Sequence, residues 1–562
     1  MKRNISARQG IERRRTLANR MSVVGLAMAA CGVTGTTIAA TCESLATLSL
    51  PDTTITVAQT VPAGTFTIPG GPTLAGLPAS CRVTGVIHPT SDSHIIFEVW
   101  LPAANWNSKL QQVGNGGLAG VLDIFYATVP SALQRGYVVA GTDDGHQASP
   151  LDGSWAIGHP EKVKDFGYRA VHLTNQNAKA ITQAFYSHAP KFSYFNACSE
   201  GGREAHMEVQ RYPDDFDGLL VGSPAHFWTD LMVRFQWDQH ALLNTPGGYI
   251  PTSKLPAIQA AALTACDAID GLSDGLVNDP RACMWNPSAI QCTGADNNSC
   301  LTAPQVGALN KIYAGPTNPR TGEQISTGYE RSGENSGNWV SYIIGPAPGF
   351  AAQQLFSVSF YSGFVFENPA WDFRTFDFDH DVAYTRTKLA DILDATDPDI
   401  SAFQQRGGKL IQYHGWIDAS PHPRGSIEYY EDVVSAQSPG KGNGIGERKV
   451  GLRRTQDFYR LFLAPGMEHC VGGPGPNVFG QVLAAPPPSH DAQHDALTAL
   501  EQWVENGTAP EKIIATKYVN DNPALGIQLQ RPLCPYPQTA RWNATGSTSD
   551  ASSFTCVDEK GK

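Results

Sequence analysis

The run NACSEGGREAHMEVQRYP, which begins at Asn196, places Ser199 between a cysteine and a glutamate, two residues before Gly201. β-forming residues precede the serine in FSYFNAC and helix formers follow it in REAHMEVQ, so it falls at a turn between a strand and a helix. A serine there, flanked by small residues that let backbone pass close by, is suited to nucleophilic attack. The pattern is A-x-S-x-G, with Ala197 where glycine is commoner. In isolation an ordinary turn capped by a serine reads the same; the acid and the base decide between the two. They should follow in chain order, acid then histidine, each after a later strand. Asp418 closes LIQYHGWID and His469 ends FYRLFLAPGMEH, which gives the order Ser, Asp, His. His414 lies inside the strand pattern before Asp418, His146, His226 and His422 read as loop or core histidines, and Asp379 and Asp391 end no clear strand. The backbone N–H of Glu200, first in the new helix, points where an oxyanion would develop. The chemistry these residues predict is acyl transfer through a serine.

Eleven cysteines bear on where that chemistry takes place. Cys31 lies in an N-terminal leader and ten remain, an even number suited to an oxidising compartment. Proximity in sequence suggests Cys42 with Cys81, Cys266 with Cys283, Cys292 with Cys300, and Cys534 with Cys556. Cys198 and Cys470 are left over, and they adjoin Ser199 and His469. If the serine and the histidine are hydrogen-bonded, their chain neighbours can lie at disulfide distance, with Cα atoms about 4.4–6.8 Å apart. Ten cysteines allow many pairings. The rival reading, Cys198 as a thiolate nucleophile, needs a free thiol in an electropositive site.

The elements that must position these residues follow from the rest of the chain. Its 562 residues, 17% of them charged and rich in glycine and proline, suit a large loop-rich globular protein. A net charge of −11 without a long basic run argues against nucleic acid as a partner. Residues 1–40 read as an export signal: Arg13, Arg14, Arg15 and Arg20 precede MSVVGLAMAACGVTG and a small-residue stretch, too short and glycine-broken for a stable membrane span. Cleavage after Ala40 is one reading and lipidation at Cys31 the other; both put the mature chain in a secreted or periplasmic location. From about His94 to Ser223 strand-like and helix-like runs alternate, and the texture resumes near Gly408, which predicts an α/β sheet. Between them, residues 224–397 are loop-rich and aromatic-rich. The expected organisation is therefore a core of residues 41–223 and 398–562 with residues 224–397 inserted as a lid domain.

The set CSEGGREA, YHGWID, APGMEHCVGGPG and the terminal RPLCPYPQTARW closely resembles the tannase and feruloyl esterase family, which also includes hydrolases of mono(2-hydroxyethyl) terephthalate. The resemblance spans nearly all of the mature chain. It implies an α/β-hydrolase core with an inserted lid, a Ser199, Asp418, His469 triad, and a Cys198–Cys470 bridge. It also implies a second oxyanion donor at Gly117 in VGNGGLAG, where glycine lets backbone approach a substrate. In the lid, CDAIDGLSDGLVND sets Asp267, Asp270 and Asp274 on a short loop, with the carbonyls of Leu272 and Leu276 close by in sequence. Such hard oxygen donors suit Ca²⁺, although a solvated acidic turn reads the same; the family's lid carries calcium in a matching segment, which implies a structural ion here.

As a set the aromatics of FSVSFYSGFVFENPAWDFRTFDFDHD fit an aromatic ester substrate, while any single ring of the segment reads first as lid core. Terephthalate-ester members hold a distal carboxylate with a lid arginine, but the comparable place falls near Gln354, with no arginine between Arg331 and Arg374. Galloyl and feruloyl esters need no such clamp. A hydrolase-fold binding protein without activity, and a peptidase of the same fold, are the competing readings.

Overall fold

A computed structural model describes residues 41–440 and 445–558. The export signal and Cys31 lie outside the described residues. Nine strands form the main sheet: β1 (Thr53–Val61), β2 (Ser80–Ile87), β3 (Ile95–Pro102), β4 (Lys109–Val113), β5 (Val138–Thr142), β6 (Phe192–Cys198), β7 (Gly218–Gly222), β8 (Lys409–Gly415) and β9 (Tyr459–Ala464). Their spatial order is β1-β2-β3-β5-β4-β6-β7-β8-β9. β1, β2, β3 and β5 pair antiparallel; from β5 through β4 to β9 every pairing is parallel. Parallel strands are joined by helical crossovers and so are covered on both faces. The sequences answer to this: VVAGT in β5 and GLLVG in β7 are buried throughout.

In β6 the two-residue period of a strand sends Tyr194 and Cys198 into one apolar layer and Phe195 and Ala197 into the other. The first layer packs beneath the helices Asp123–Gln134 and Ala496–Asn506, the second beneath α1 (Glu200–Arg211) and the helix Pro423–Ala436. The alternation of strands and helices predicted an α/β sheet, and the sheet has the α/β-hydrolase architecture that the family resemblance implied.

Residues 224–397, between β7 and β8, carry the helices α2 (Trp228–Gln239) and α3 (Ala352–Phe360) among others. Part of the insert closes on a cluster that includes Leu242, Ile258, Leu309, Ile312, Trp339 and Ile343. A second cluster joins Trp228, Met232, Phe235, Phe360 and Leu389 of the insert to Leu118, Ala119 and Phe166 from before it. The insert therefore rests on the glycine loop after β4. No helix among the described residues is long and apolar enough to cross a membrane.

Candidate active site

β6 ends at Cys198 and α1 starts at Glu200, which leaves one residue to reverse the chain. That residue, Ser199, has φ 69° and ψ −123°, a region a non-glycine side chain enters only at a cost of order 1–3 kcal/mol. Its neighbours hold it there. The Ser199 N–H donates to Gly222 O (2.9 Å), and the Ala225 N–H donates to Ser199 O (3.2 Å). Close passage of backbone explains the glycines. A Cβ on Gly201 would lie 2.8 Å from Asn115 O, and one on Gly202 2.7 Å from Gly222 O. The alanine at position 197 is accommodated because glycines face it: a Cβ on Gly114 or Gly201 would come within 2.7 or 3.0 Å of its methyl group.

The loops after β8 and β9 bring the acid and the base to the serine. His469 Nε2 lies 2.8 Å from Ser199 Oγ, and His469 Nδ1 lies 2.8 Å from Asp418 Oδ2. Asp418 is fully buried, and its Oδ1 accepts the Ser420 N–H at 2.8 Å. Burial alone would raise this carboxyl, but the imidazoles of His469 and His414 outweigh it and hold Asp418 below the usual carboxylate range. It therefore stays an anion that accepts the Nδ1 proton and leaves Nε2 free to take one from the serine. His414 backs the acid without reaching the serine: its Nε2 lies 3.3 Å from Asp418 Oδ2 and 2.9 Å from Pro421 O, and its Nδ1 2.7 Å from Ser426 Oγ. His226 stacks on Tyr429, His422 caps a helix at the Gly425 N–H, and Asp379 pairs with Arg320. Cys198 and Cys470 are joined in a disulfide, which removes the free thiol a cysteine nucleophile would need. The other bridges join Cys42 to Cys81, Cys266 to Cys283, Cys292 to Cys300 and Cys534 to Cys556.

Gly117 and Glu200 flank the serine in one opening. Gly117 has φ +65°, and a Cβ there would meet Pro150 O at 2.6 Å. Its loop is tied to α1 in both directions: the Gly201 N–H donates to Asn115 O (3.0 Å), while the Asn115 N–H and Nδ2 donate to Glu204 (3.0 and 3.2 Å). Glu204 shares a buried nest with Glu200 and Asp144; burial and the charge of Glu204 push both neighbours far above the usual carboxylate range. His146, stacked on Trp155, reaches Leu118 O in the same loop (2.8 Å), and burial pushes its imidazole down to about 4. Sequence reasoning missed Glu204 altogether, although its position five residues after the serine, one turn into the helix, was a usable signal.

Apolar side chains wall the opening: Trp228, Leu231, Met232 and Phe235 from α2, with Tyr342 and Phe356. Of the two readings of the run from Phe356 to Asp381, lid core holds for the rings taken singly, and the run as a set does not supply the aromatic faces. Only Phe356 of that run lines the opening; Phe360, Tyr361, Phe364 and Phe376 are buried in the insert, because stacking against one another removes more apolar surface from water. Gln354, two residues before Phe356, is buried, and among the described residues that line the opening there is neither arginine nor lysine.

Away from this opening, the acidic loop is closed by the Cys266–Cys283 bridge. Asp267 accepts the Gly275 N–H (3.0 Å), Asp270 those of Leu272 and Asn278 (3.0 and 3.1 Å), and Asp274 that of Leu276 (3.2 Å). Arg531 pairs with the second oxygen of Asp274. Burial, then the charges of Asp274 and Asp267, push the Asp270 carboxyl up. The three carboxylates are hard oxygen donors of the type Ca²⁺ takes, but they are not among the groups of described residues whose ligand atoms all lie within 4.8 Å of one another. The Leu276 side chain is buried against Gly466, on the loop that carries His469.

The fold and this constellation define a carboxylic ester hydrolase of the α/β-hydrolase class. Comparison with known proteins agrees: residues 81–557 match the model of the family described as tannase and feruloyl esterase. An uncharacterized esterase of Xanthomonas campestris pv. campestris is 46% identical over 553 residues, covering 96% of this chain and 95% of that protein. A probable feruloyl esterase B-1 of Aspergillus flavus is 32% identical over 524 residues, covering 91% and 94%. The crystal structure of feruloyl esterase B from Aspergillus oryzae superposes with a TM-score of 0.82 at 28% identity, over 92% of this chain and 99% of that one. The chain belongs to the tannase and feruloyl esterase family.

Proposed function

We propose that the protein is an exported serine esterase that cleaves esters of phenolic acids, galloyl or feruloyl in type, through an acyl-enzyme. The observation that carries this reading is the unbroken hydrogen-bonded chain Ser199–His469–Asp418 in an opening that Gly117 and Glu200 also line, under an aromatic wall; the backbone N–H groups of Gly117 and Glu200 would serve as oxyanion donors. Ser199 Oγ attacks the ester carbonyl carbon as its proton passes to His469 Nε2, and the carbonyl electron pair moves onto oxygen between the two N–H groups. When the C=O re-forms, the alcohol leaves with the proton from His469. Water then gives a proton to the same nitrogen and attacks the acyl-serine; the second collapse returns the proton to Ser199 and frees the acid. Asp418 holds the ring and offsets its transient charge.

A wall of Trp228, Phe235, Tyr342 and Phe356 suits a planar acid. The absence of arginine and lysine from that wall favours galloyl or feruloyl esters over a mono(2-hydroxyethyl) terephthalate, whose distal carboxylate would lack a charged partner. Export is supported by five disulfides among the described residues. The test is hydrolysis of methyl gallate, methyl ferulate and mono(2-hydroxyethyl) terephthalate, with the acid followed chromatographically and a peptide anilide panel beside them. The phenolic esters are expected to turn over. Turnover of the terephthalate ester alone would overturn the substrate assignment, and silence on every ester would favour a binding protein.

Asp267, Asp270 and Asp274, with the Leu272 and Leu276 carbonyls, would hold Ca²⁺ as a structural ion that neutralises the loop. Leu276 would pass that rigidity to the loop of His469 through Gly466. Chelation is expected to lower the thermal midpoint by about 2–5 °C, reversed by Ca²⁺ and not by Mg²⁺. An Asp270→Asn variant should show a lowered midpoint that no longer responds to either ion, as read by differential scanning fluorimetry.

A further inference from the structure

The loop that carries His469, PGMEHCVGGPG, is rich in glycine, has Cys470 in the left-handed region at φ 64°, and is closed on itself by backbone bonds from Glu468 to Gly472 and from Gly475 to Gly466. The disulfide anchors it from the core side. From the other side it is held by the insert. The His469 backbone N–H donates to Asn338 Oδ1 at 2.6 Å, across 131 residues of sequence. Glu468 faces the same stretch of the insert: a Cβ on Gly337 would lie 3.7 Å from its carboxylate oxygens, and burial pushes this carboxyl up while the neighbouring Asn338, Gly337 and Ser336 pull it down. Glu468 and His469 of the base loop thus lie against residues 336–338 of the insert, joined by the bond from His469 N–H to Asn338. Directly after Asn338 the chain enters a helical turn whose Trp339 is fully buried, and whose Tyr342 meets the His469 ring edge-on at 5.7 Å and 72°.

The acid loop is held in the same way. Arg234 Nη2 donates to Ser420 O (2.8 Å), as does Tyr329 OH (3.2 Å), and Gln353 Nε2 donates to both Ala419 O (3.2 Å) and Tyr329 OH (2.7 Å). A Cβ on Gly333 of the insert would lie 2.7 Å from Ile417 Cβ, so the backbones are in contact there. Every donor in this set is buried and belongs to the insert, and the acceptors flank Asp418.

We infer that the lid is a working part of the triad, with Asn338 as a positioning residue that sets the ring of His469 through its backbone. The inference rests on the serine-esterase reading. General-base geometry is exacting, and a displacement of about 1 Å costs on the order of 10²-fold in rate. Asn338 does not line the opening, so its effect should appear in kcat and leave KM alone.

In the full chain, Asn338→Ala is expected to lower kcat on a phenolic ester about 10- to 100-fold, with KM within about threefold and the thermal midpoint within a few degrees. Asn338→Asp keeps an acceptor oxygen and should recover most of kcat. Its added negative charge near the imidazole should move the acidic limb of the kcat profile to higher pH, which a merely structural role would not do. If the alanine variant fails to fold, Asn338→Ser, whose shorter side chain withdraws the acceptor, should show the same kcat loss. Wild-type kcat in Asn338→Ala or Asn338→Ser would overturn the inference. So would a kcat that falls only in step with the folded fraction, or an aspartate variant that restores nothing. Ser199→Ala assayed alongside separates the two levels. An active Ser199→Ala variant would sink the serine reading itself, whereas an inert one beside an unimpaired Asn338→Ala would sink this inference alone.

Discussion

Ser199→Ala is expected to lower kcat on methyl gallate or methyl ferulate by about 10⁴- to 10⁶-fold while the ester still binds. The size follows from the geometry. Oγ is the group that forms the new bond, and His469 Nε2, 2.8 Å away, has no other proton to take in the acylation step. His469→Ala should cost about as much, and the double variant scarcely more than either single one, because the groups act as a unit. Asp418→Asn should cost less, about 10⁴-fold: the packing survives, but an amide facing Nδ1 favours the tautomer with its proton towards the serine. Residual turnover in all of these variants should come from the Gly117 and Glu200 N–H groups and from the aromatic wall. Initial rates and active-site titration on matched preparations provide the measurement. Comparable activity in Ser199→Ala and wild type would remove the acyl-enzyme from consideration.

The second large effect is expected from the paired substitution Cys198→Ser, Cys470→Ser. The bridge spans 272 residues, against 8 to 39 for the other four. In the chain-entropy account, cross-linking stabilises more as the closed loop lengthens, which for this bridge is on the order of 5 kcal/mol. Its position adds a kinetic effect, because each half-cystine adjoins a member of the triad. Without it the base loop loses its covalent tie to the nucleophile turn and keeps hydrogen bonds to the lid and to Gln481 and Lys517, so that His469 should drift relative to β6. Both the denaturant midpoint and kcat should fall, kcat by about 10²-fold. Replacing Cys292 and Cys300 instead, a pair 8 residues apart, should change the midpoint modestly and kcat hardly at all. Denaturation curves and steady-state kinetics on the two double variants provide the check; equal kcat losses would show that the active-site bridge has no special role.

The chemistry was more legible in the sequence than the support beneath it. Ser199, Asp418 and His469 could be found because each closes a strand of an α/β sheet, and such strand ends read as short apolar runs followed by a polar residue. The parallel strands β4 to β9 were visible for the same reason, whereas β1 and β2 precede the point near His94 where the alternation was taken to begin. Asn338 could not be found. It lies in a loop 131 residues from its partner, and an asparagine that accepts one distant N–H leaves no local pattern. The roof failed differently: an aromatic-rich segment announces that rings will be buried, and composition does not say whether they face a ligand or one another. The short α2, by contrast, carries Trp228 and Phe235 at helical spacing, seven residues apart on one face, and that face is the wall.

The length of the loop closed by Cys198 and Cys470 also orders events while the chain is made. Cys198 emerges first and must wait for its partner while Cys266, Cys283, Cys292 and Cys300 pass, each of which finds its own partner within 17 residues. Early closure of these near pairs withdraws the thiols that could capture Cys198 wrongly. The bond beside the nucleophile can be the native one only after residue 470 has arrived, by which time β8, β9, the lid and the acid are all in place. Until His469 and Cys470 are present the serine lacks both its base and the bridge beside it, and the Cys534–Cys556 pair is made later still.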